Sequence, residues 1–210
     1  MSKKAKQAAG KVAKLDRKVT HKVAALRDTR PMRFAALMAE CADQPELITA
    51  SIGTIGAGLV SRRPDLIRGG SRMLASHLVA TGIKMAVKHR VDRTRPKRAL
   101  EDGEHRFEKG NSNDHELNSF PSGHTAGAVA VARAASHEID GAAVPATLAT
   151  GAIAAAQAPT GSHYLTDVLA GGAIGWAAEA IVGAVFDRVE PVIERAFVRR
   201  RRERAAGRPA

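Results

Sequence analysis

The residues most able to do chemistry form one short stretch, Pro121-Ser122-Gly123-His124-Thr125. It follows a long polar segment and precedes an Ala-rich apolar run, so we expect it where a loop enters a helix. The free backbone N–H groups and the dipole of a helix start favour negative charge. The pattern therefore predicts an oxyanion site at Ser122 and Gly123, with His124 placed to give or take a proton.

A second group of residues is basic. Lys88 lies at an expected helix end, and Arg95 follows seven positions later, held by Pro96. A mobile ammonium and a planar guanidinium together suit a phosphate group. Without other motifs, the same pattern is typical of a hydrated basic loop or one that binds lipid headgroups.

The third group is His163 and Asp167. If both lie on a helix, their i, i+4 spacing places them on one face. The carboxylate could then accept the proton of one imidazole nitrogen and leave the other nitrogen free to attack. The alternative is a purely structural His–Asp pair, which for an isolated pair is the more common case.

Together the three groups resemble the type 2 phosphatidic acid phosphatase superfamily, the histidine phosphatases that share a helical core with vanadium haloperoxidases. The family pattern K-x6-RP matches Lys88, Arg95 and Pro96, and PSGH matches residues 121–124. The His and Asp of SR-x5-H-x3-D match His163 and Asp167. The resemblance covers roughly residues 70–185. It implies a helical bundle of the phosphatidic acid phosphatase/haloperoxidase type, embedded in a membrane.

The resemblance also implies an activity: metal-independent hydrolysis of a lipid phosphate or diphosphate of the phosphatidic acid or polyprenyl diphosphate class. His163 would attack phosphorus and form a phosphohistidine, with Asp167 orienting it. His124 would protonate the leaving alkoxide and then activate water. The phosphate oxygens would be bound by four further residues, Lys88, Arg95, Ser122 and Gly123. No metal ion or other cofactor is expected.

One part of the family pattern is missing. The SR pair should fall at positions 156 and 157, where this chain has Ala156 and Gln157. By analogy with lost oxyanion donors, losing a charged phosphate contact costs a few kcal/mol, or about two to three decades in rate. Arg90 and Arg93 are conceivable replacements. The alternative function is a weak or inactive member that binds phospholipid or another anion at the membrane, and a vanadate-dependent haloperoxidase is a further enzymatic variant.

The elements that must position these residues are all helical. Apolar residues recur at helical spacing, without strand-like alternation, so the sequence predicts an all-α fold. Residues 88–120 are polar and contain Gly103, Gly110 and a run of Asn, Ser and Asp, which is typical of a loop. The helices are expected over residues 3–30, from 31 to a break at Gln44-Pro45, 47–60, 71–87, 124–138, 142–158, and from about 163 to 187.

Charge divides the chain into three segments. Residues 1–30 hold ten Lys or Arg and two acids, and residues 188–210 hold eight and three, within a total net charge of +12. We therefore expect a basic amphipathic segment over 1–44, a phosphatase-like helical domain over 45–187, and a basic tail over 188–210. Basic ends could also bind nucleic acid, but with 3% aromatic residues for stacking and no recognised module, no nucleic-acid partner is expected.

Membrane insertion is favoured by the apolar runs. Residues 168–186 contain one acid, Glu179, in nineteen residues, and 142–158 contain no formal charge. Charges within 71–87 and 124–138 leave a soluble Ala-rich bundle as the alternative.

We expect an integral protein of a bacterial-type inner membrane that could form homo-oligomers. The positive-inside rule places the cytoplasmic face at Arg62, Arg63, Arg68 and the 199–202 run, so the site would face outward. The basic N terminus fits this orientation only if residues 1–44 contain an additional crossing.

Overall fold

Helices form almost all of the regular structure in residues 3–40 and 42–206, the part of the chain that the computed structural model describes. The fold class predicted from the sequence is confirmed. The α-helices of this part are α1 Lys3–Ala24, α2 Arg30–Glu40, α3 Gln44–Ser61, α4 Pro64–Lys88, α5 Pro96–Asp102, α6 Gly123–Glu138, α7 Ala143–Gln157 and α8 Leu165–Ala206.

Two prolines lie at helix starts, and one of them, Pro45, was expected to be a break. Pro45 lies in the first turn of α3, and Pro64 is the first residue of α4. Proline fits there because its missing N–H would have no partner in the first turn. The predicted start of α4 near residue 71 was therefore wrong. Between the two helices the chain turns at Arg62, which has a positive φ of 55°.

The central element is α6, which packs against α3, α4, α7 and α8. Alanines line its buried positions, and small side chains allow neighbouring backbones to approach closely. The approach of α8 is closest: a Cβ at Gly171 would overlap the carbonyl oxygen of Ser122, and one at Gly175 would overlap that of Ala126. The two glycines therefore fix the distance between α8 and the start of α6.

A buried ionic cluster connects α4, α6 and α8 farther along the bundle. Arg72 donates to Glu138 at 2.6 Å and to Glu179 at 3.0 Å, and Arg133 donates to Glu179 at 3.1 Å. The carboxylate of Glu179 is 1% exposed. Many of the charges that made these runs unfavourable for a membrane thus pair with each other inside the bundle.

The expected loop at 88–120 has more structure than predicted. It contains α5, a 3-10 turn at His115–Leu117, and two strands of two residues each, β1 Asp92–Arg93 and β2 Phe107–Glu108. The strands pair antiparallel. They are too short for an alternating pattern to predict them.

The last helix extends well past its expected end. α8 continues from Leu165 to Ala206, through the domain boundary placed at residue 187. The side chains of Arg199–Arg202 lie outside those that the structure describes. At the other end of the chain, α1 packs against α8. The three-segment division remains a prediction.

Candidate active site

One end of the bundle contains a cavity of about 320 Å³ that gathers most of the predicted site residues. The rings of His124 and His163 are both at this cavity, with centroids 6.4 Å apart. Its lining comprises Ala42, Asp43, Gln44, Pro45, Lys84, Lys88, Arg95, Gly123, His124 and His163. Five of the seven predicted site residues are therefore together, and the other two, Ser122 and Asp167, are buried and are not among the lining residues.

His163 is oriented by a backbone carbonyl. Its Nδ1 lies 2.7 Å from the carbonyl oxygen of Ser119, so Nδ1 carries the proton and donates it. The lone pair of the ring is then on Nε2. Burial lowers the pKa of His163 to about 4, against the opposing effect of the Asp167 carboxylate. The ring is thus neutral near pH 7, as a nucleophile must be.

Asp167 supports the imidazole ring of His163 indirectly, rather than through the predicted hydrogen bond to the ring. Its Oδ2 is 3.8 Å from Nδ1 of His163, beyond hydrogen-bond distance. The same oxygen accepts the hydroxyl of Ser119 at 2.6 Å and the N–H of Tyr164 at 2.8 Å. The predicted i, i+4 pair is therefore within ion-pair distance without a direct hydrogen bond, and the two residues do not share a helix because α8 begins at Leu165. Asp167 therefore positions Ser119 and Tyr164, the neighbours of His163, and does not accept the ring proton.

Arg93 lies behind Asp167 and is 5% exposed. It donates to Asp167 at 2.5 Å and to Asp16 of α1 at 2.6 Å. Asp16 also accepts the N–H of Thr166 at 3.2 Å. Arg93 is therefore occupied by carboxylates, while Arg90 is exposed and bonds to the carbonyl of Ala86. Neither arginine lines the cavity, so the structure gives no support to either as a replacement for the missing arginine.

Two predicted phosphate ligands, Lys88 and Arg95, are aimed by carbonyl groups. Lys88 donates to the carbonyl of Asn118 at 2.8 Å, and Arg95 donates to those of His115 and Ser162, both at 3.0 Å. Burial, with Arg95 and then Lys84 nearby, lowers the pKa of Lys88 to about 8. Among the described residues neither cation forms an ion pair, so their charge remains available to an anion.

The start of α6 has the geometry expected of an anion site. Ser122 is the N-cap: its Oγ accepts the N–H of Thr125 at 3.4 Å and shares a hydrogen bond of 3.0 Å with the Thr125 hydroxyl. Its side chain is fully buried, so in this structure the hydroxyl serves the cap. Gly123 lines the cavity, at the end of the helix where free N–H groups collect.

His124 has an acidic partner that no sequence pattern indicated. Its Nε2 lies 2.7 Å from Oδ1 of Asp43, the N-cap residue of α3. Burial lowers the pKa of His124, and the Asp43 carboxylate opposes that shift. The contact joins segments 81 positions apart, which is why spacing could not reveal it.

The structure adds a third cation to the cavity, Lys84, which precedes Lys88 by one helical turn. Their i, i+4 spacing in α4 was the available sequence signal, although the helix was not expected to carry two site residues.

Gln157, at the position of the missing arginine, donates to Ile153 of its own helix at 3.1 Å and does not line the cavity. Within the described residues, no group of three or more His, Cys, Asp or Glu side chains could hold a metal ion.

Comparison with known proteins is consistent with this geometry. The model of the PAP2 superfamily matches residues 70–190. Two solved structures have the same fold. LpxE of Aquifex aeolicus is 21% identical with a TM-score of 0.59, and the match covers 79% of this chain and 92% of that one.

The second structure is the first transmembrane PAP2 type phosphatidylglycerolphosphate phosphatase from Bacillus subtilis. It is 18% identical with a TM-score of 0.60, and the match covers 85% of this chain and 87% of that one. At these identities the two structures show the fold. No curated protein matches the sequence.

Proposed function

The chain belongs to the PAP2 superfamily and is a phosphatase of that family, and from this premise we propose that it hydrolyses a lipid phosphate or diphosphate of the phosphatidic acid or polyprenyl diphosphate class through a phosphohistidine. The observation that carries the proposal is the pair of imidazoles 6.4 Å apart across a cavity lined by Lys88 and Arg95. One ring would accept the phosphoryl group, and the other would protonate the departing oxygen.

In the first step, the lone pair on Nε2 of His163 forms a bond to phosphorus as the bond to the leaving oxygen breaks. Protonated His124 gives that oxygen its proton, so the lipid departs as a neutral alcohol, or as a monophosphate when the substrate is a diphosphate. Asp43 supports this role because its carboxylate stabilises the protonated ring of His124.

In the second step, water attacks the phosphohistidine. His124, now neutral, accepts a proton from the water, the P–N bond breaks, and its electron pair returns to Nε2 of His163. Inorganic phosphate leaves. In both steps the charge on the phosphoryl oxygens is stabilised by Lys88, Arg95 and the N–H of Gly123. Ser122 would hold that N–H in place through its helix cap, and Asp167 would hold the loop that carries His163.

A lipid substrate is supported by the outer faces of the bundle. Exposed large apolar side chains occur on several helices: Ile52, Leu59 and Val60 on α3, Leu78 and Met85 on α4, Val144 and Leu148 on α7, and Leu169, Trp176, Ile181 and Val185 on α8. One described segment, Leu165–Val189, is long and apolar enough to cross a membrane. An integral membrane phosphatase could admit the headgroup of its substrate while the lipid chain stays in the bilayer.

We assign the protein to a bacterial-type inner membrane, with the site on the outer side. The short connection with Arg62 and Arg63 and the Arg-rich end of α8 belong to the end of the bundle opposite the cavity, which is the positive-inside pattern. The lysines of α1 oppose this assignment, because Asp16 places α1 at the cavity end. Accessibility of a cysteine introduced at exposed Glu101, probed from outside intact cells, tests the orientation.

A phosphate-release panel tests the function. Purified protein is given phosphatidic acid, a polyprenyl diphosphate and a soluble phosphomonoester, and inorganic phosphate is measured. We expect release from the lipids, and a loss of at least about 1,000-fold in His163→Ala because the nucleophile is removed. His21→Ala, an exposed histidine of α1, is the matched control.

Equal release by His163→Ala and wild type would reject His163 as the nucleophile. Binding of the lipids by wild type without turnover would instead support the anion-binding alternative that the replacement of arginine by Gln157 suggests.

A further inference from the structure

The missing arginine leaves a deficit of charge at the site. Gln157 is neutral and bonds to its own helix, Arg93 is held by two carboxylates, and Arg90 is exposed outside the cavity. The proposed phosphoryl transfer still develops charge on oxygens that need positive partners. The cavity lining is therefore where a replacement must be sought.

Lys84 occupies such a position. It lines the same cavity as Lys88, Arg95 and both catalytic histidines. Its side chain lies along Gly123: a Cβ built on that glycine would be 3.2 Å from Cδ and 3.4 Å from Nζ of Lys84. The ammonium group thus lies at the first residue of α6, where free N–H groups would contact a phosphate.

The charge of Lys84 has no partner in the described part of the chain, where it forms neither a hydrogen bond nor an ion pair. It is close to Lys88 and to the positive end of the α6 dipole, which repel it. The nearby carboxylate of Asp43 is bonded to His124 instead. Three neighbouring cations at one partly enclosed surface are stabilised when an anion lies between them.

We propose that Lys84 is a substrate-binding residue that supplies the positive charge the missing arginine would have given, contacting the phosphoryl oxygens together with Lys88 and Arg95. The inference rests on the proposed function. A lysine can serve here because its ammonium is a compact charge on a flexible stem, able to reach an anion from α4 without the fixed fork of a guanidinium.

Kinetics of three variants test the inference. In Lys84→Met, which keeps the length of the side chain and removes the charge, we expect kcat/KM to fall about 100-fold. Lys84→Arg restores the charge and should stay within about tenfold of wild type. Lys109→Met, at an exposed lysine after β2, is the control and should leave kcat/KM unchanged. Circular dichroism and melting temperature report whether each variant is folded.

Adding Gln157→Arg to Lys84→Met separates the loss of positive charge from the loss of side-chain packing. Gln157→Arg returns an arginine to the family position, so it should raise kcat/KM by a larger factor in the Lys84→Met background than in wild type. Equal factors in the two backgrounds would contradict a shared role, because residues that serve one function give non-additive effects.

The outcome distinguishes this inference from the proposed function. If Lys84→Met retains wild-type kcat/KM while His163→Ala is inactive, the function stands and Lys84 is not a ligand. If wild type shows no turnover, or Lys84→Met does not fold, titration calorimetry with inorganic phosphate on wild type, Lys84→Gln and Lys84→Arg decides. Binding weakened at least tenfold in Lys84→Gln but not in Lys84→Arg supports the inference, and equal binding in all three overturns it.

Discussion

At the scale of single residues, the site is built mainly from side chains aimed by peptide carbonyls. Ser119 orients His163, Asn118 orients Lys88, and Ser162 holds Arg95. Because carbonyl groups orient a cation without neutralising it as a carboxylate would, the cavity keeps its positive potential. Burial and the neighbouring cations Arg95 and Lys84 lower the pKa of Lys88 to about 8, so its charge changes with pH.

The pKa values of three residues, Lys88, His163 and His124, give a pH dependence. Lys88 must be charged to bind phosphate, and its pKa is about 8, so the charge is lost as pH rises through 8. His163 must be neutral, and its pKa is about 4, so it is active at all higher pH values. We expect kcat/KM to fall first as His124, whose pKa burial lowers, loses its proton, and to fall further above about pH 8 as Lys88 loses its charge. His163 imposes a fall only toward pH 4.

The measurement is kcat/KM against pH for wild type and Lys88→Arg on one substrate, so that ionisation of the substrate is common to both. A guanidinium stays charged, so the additional fall near pH 8 should be absent from Lys88→Arg, whereas the fall caused by His124 should remain. An unchanged alkaline limb would show that another group causes it. Lys109→Arg is the control.

The motif residues of the site were predictable, whereas their contacts were not. The resemblance to the family pattern placed Lys88, Arg95, His124 and His163 in one site, because each block carries its own local motif. Asp43 and Lys84 could not be assigned by the same route, since one lies in another segment and the other has no motif. The predicted bond from Asp167 to His163 required both on one helix, and the helix starts two residues too late.

At the scale of elements, the N-terminal helix completes the support of the catalytic loop. Asp16 of α1 is 1% exposed and joins Arg93 to the first turn of α8 through the N–H of Thr166. That N–H has no partner within α8, so Asp16 acts like a capping residue supplied by a distant helix. The carboxylate therefore links α1 to the residues that surround His163.

Removal of this carboxylate should affect both stability and rate. In Asp16→Ala, Arg93 keeps Asp167 but loses one of its two buried partners, so we expect the free energy of unfolding to fall by about 3 kcal/mol. We also expect kcat to fall more than KM changes, because the loop of His163 loses its support while Lys88 and Arg95 do not.

Denaturant unfolding in detergent and steady-state kinetics measure the two effects. Asp28→Ala, at an exposed acid after the end of α1, is the matched control. Wild-type kcat in Asp16→Ala would show that α1 is not needed to position the site.

Helices were predictable where an apolar run defined them, as for α3, α6 and α7. The ends of the helices were less predictable. Pro45 was taken as a break although it lies in the first turn of α3, and the charged end of α8 was taken as a tail. The short strands β1 and β2 depend on pairing with each other, which local sequence does not encode.

At the scale of the whole molecule, many of the charges within the bundle are turned inward and large apolar side chains outward. Arg72 meets Glu138 and Glu179, residues 66 and 107 positions away. Such distant pairs cannot be read from spacing, which is why the sequence left both a soluble and a membrane bundle open. The arrangement favours a bilayer around the outer surface.

The sole tryptophan offers a direct measurement of that environment. Trp176 lies on α8 and is 55% exposed. If α8 contacts lipid, brominated acyl chains should quench its fluorescence and aqueous iodide should not. The control is a Trp176→Phe, Phe107→Trp double variant, which moves the probe to an exposed position of β2 at the cavity end. For the tryptophan at position 107, iodide should quench the fluorescence more than brominated lipid does. Stronger quenching by iodide at Trp176 as well would identify a water-soluble bundle.

In the proposed mechanism, the carbonyl of Ser119 would also decide which ring nitrogen carries the phosphoryl group. Because a main-chain oxygen holds the proton on Nδ1, the proposed phosphoryl transfer would be confined to Nε2. A peptide carbonyl cannot be exchanged by substitution and does not titrate. A change of pH would therefore leave the proposed intermediate as the Nε2 isomer of phosphohistidine.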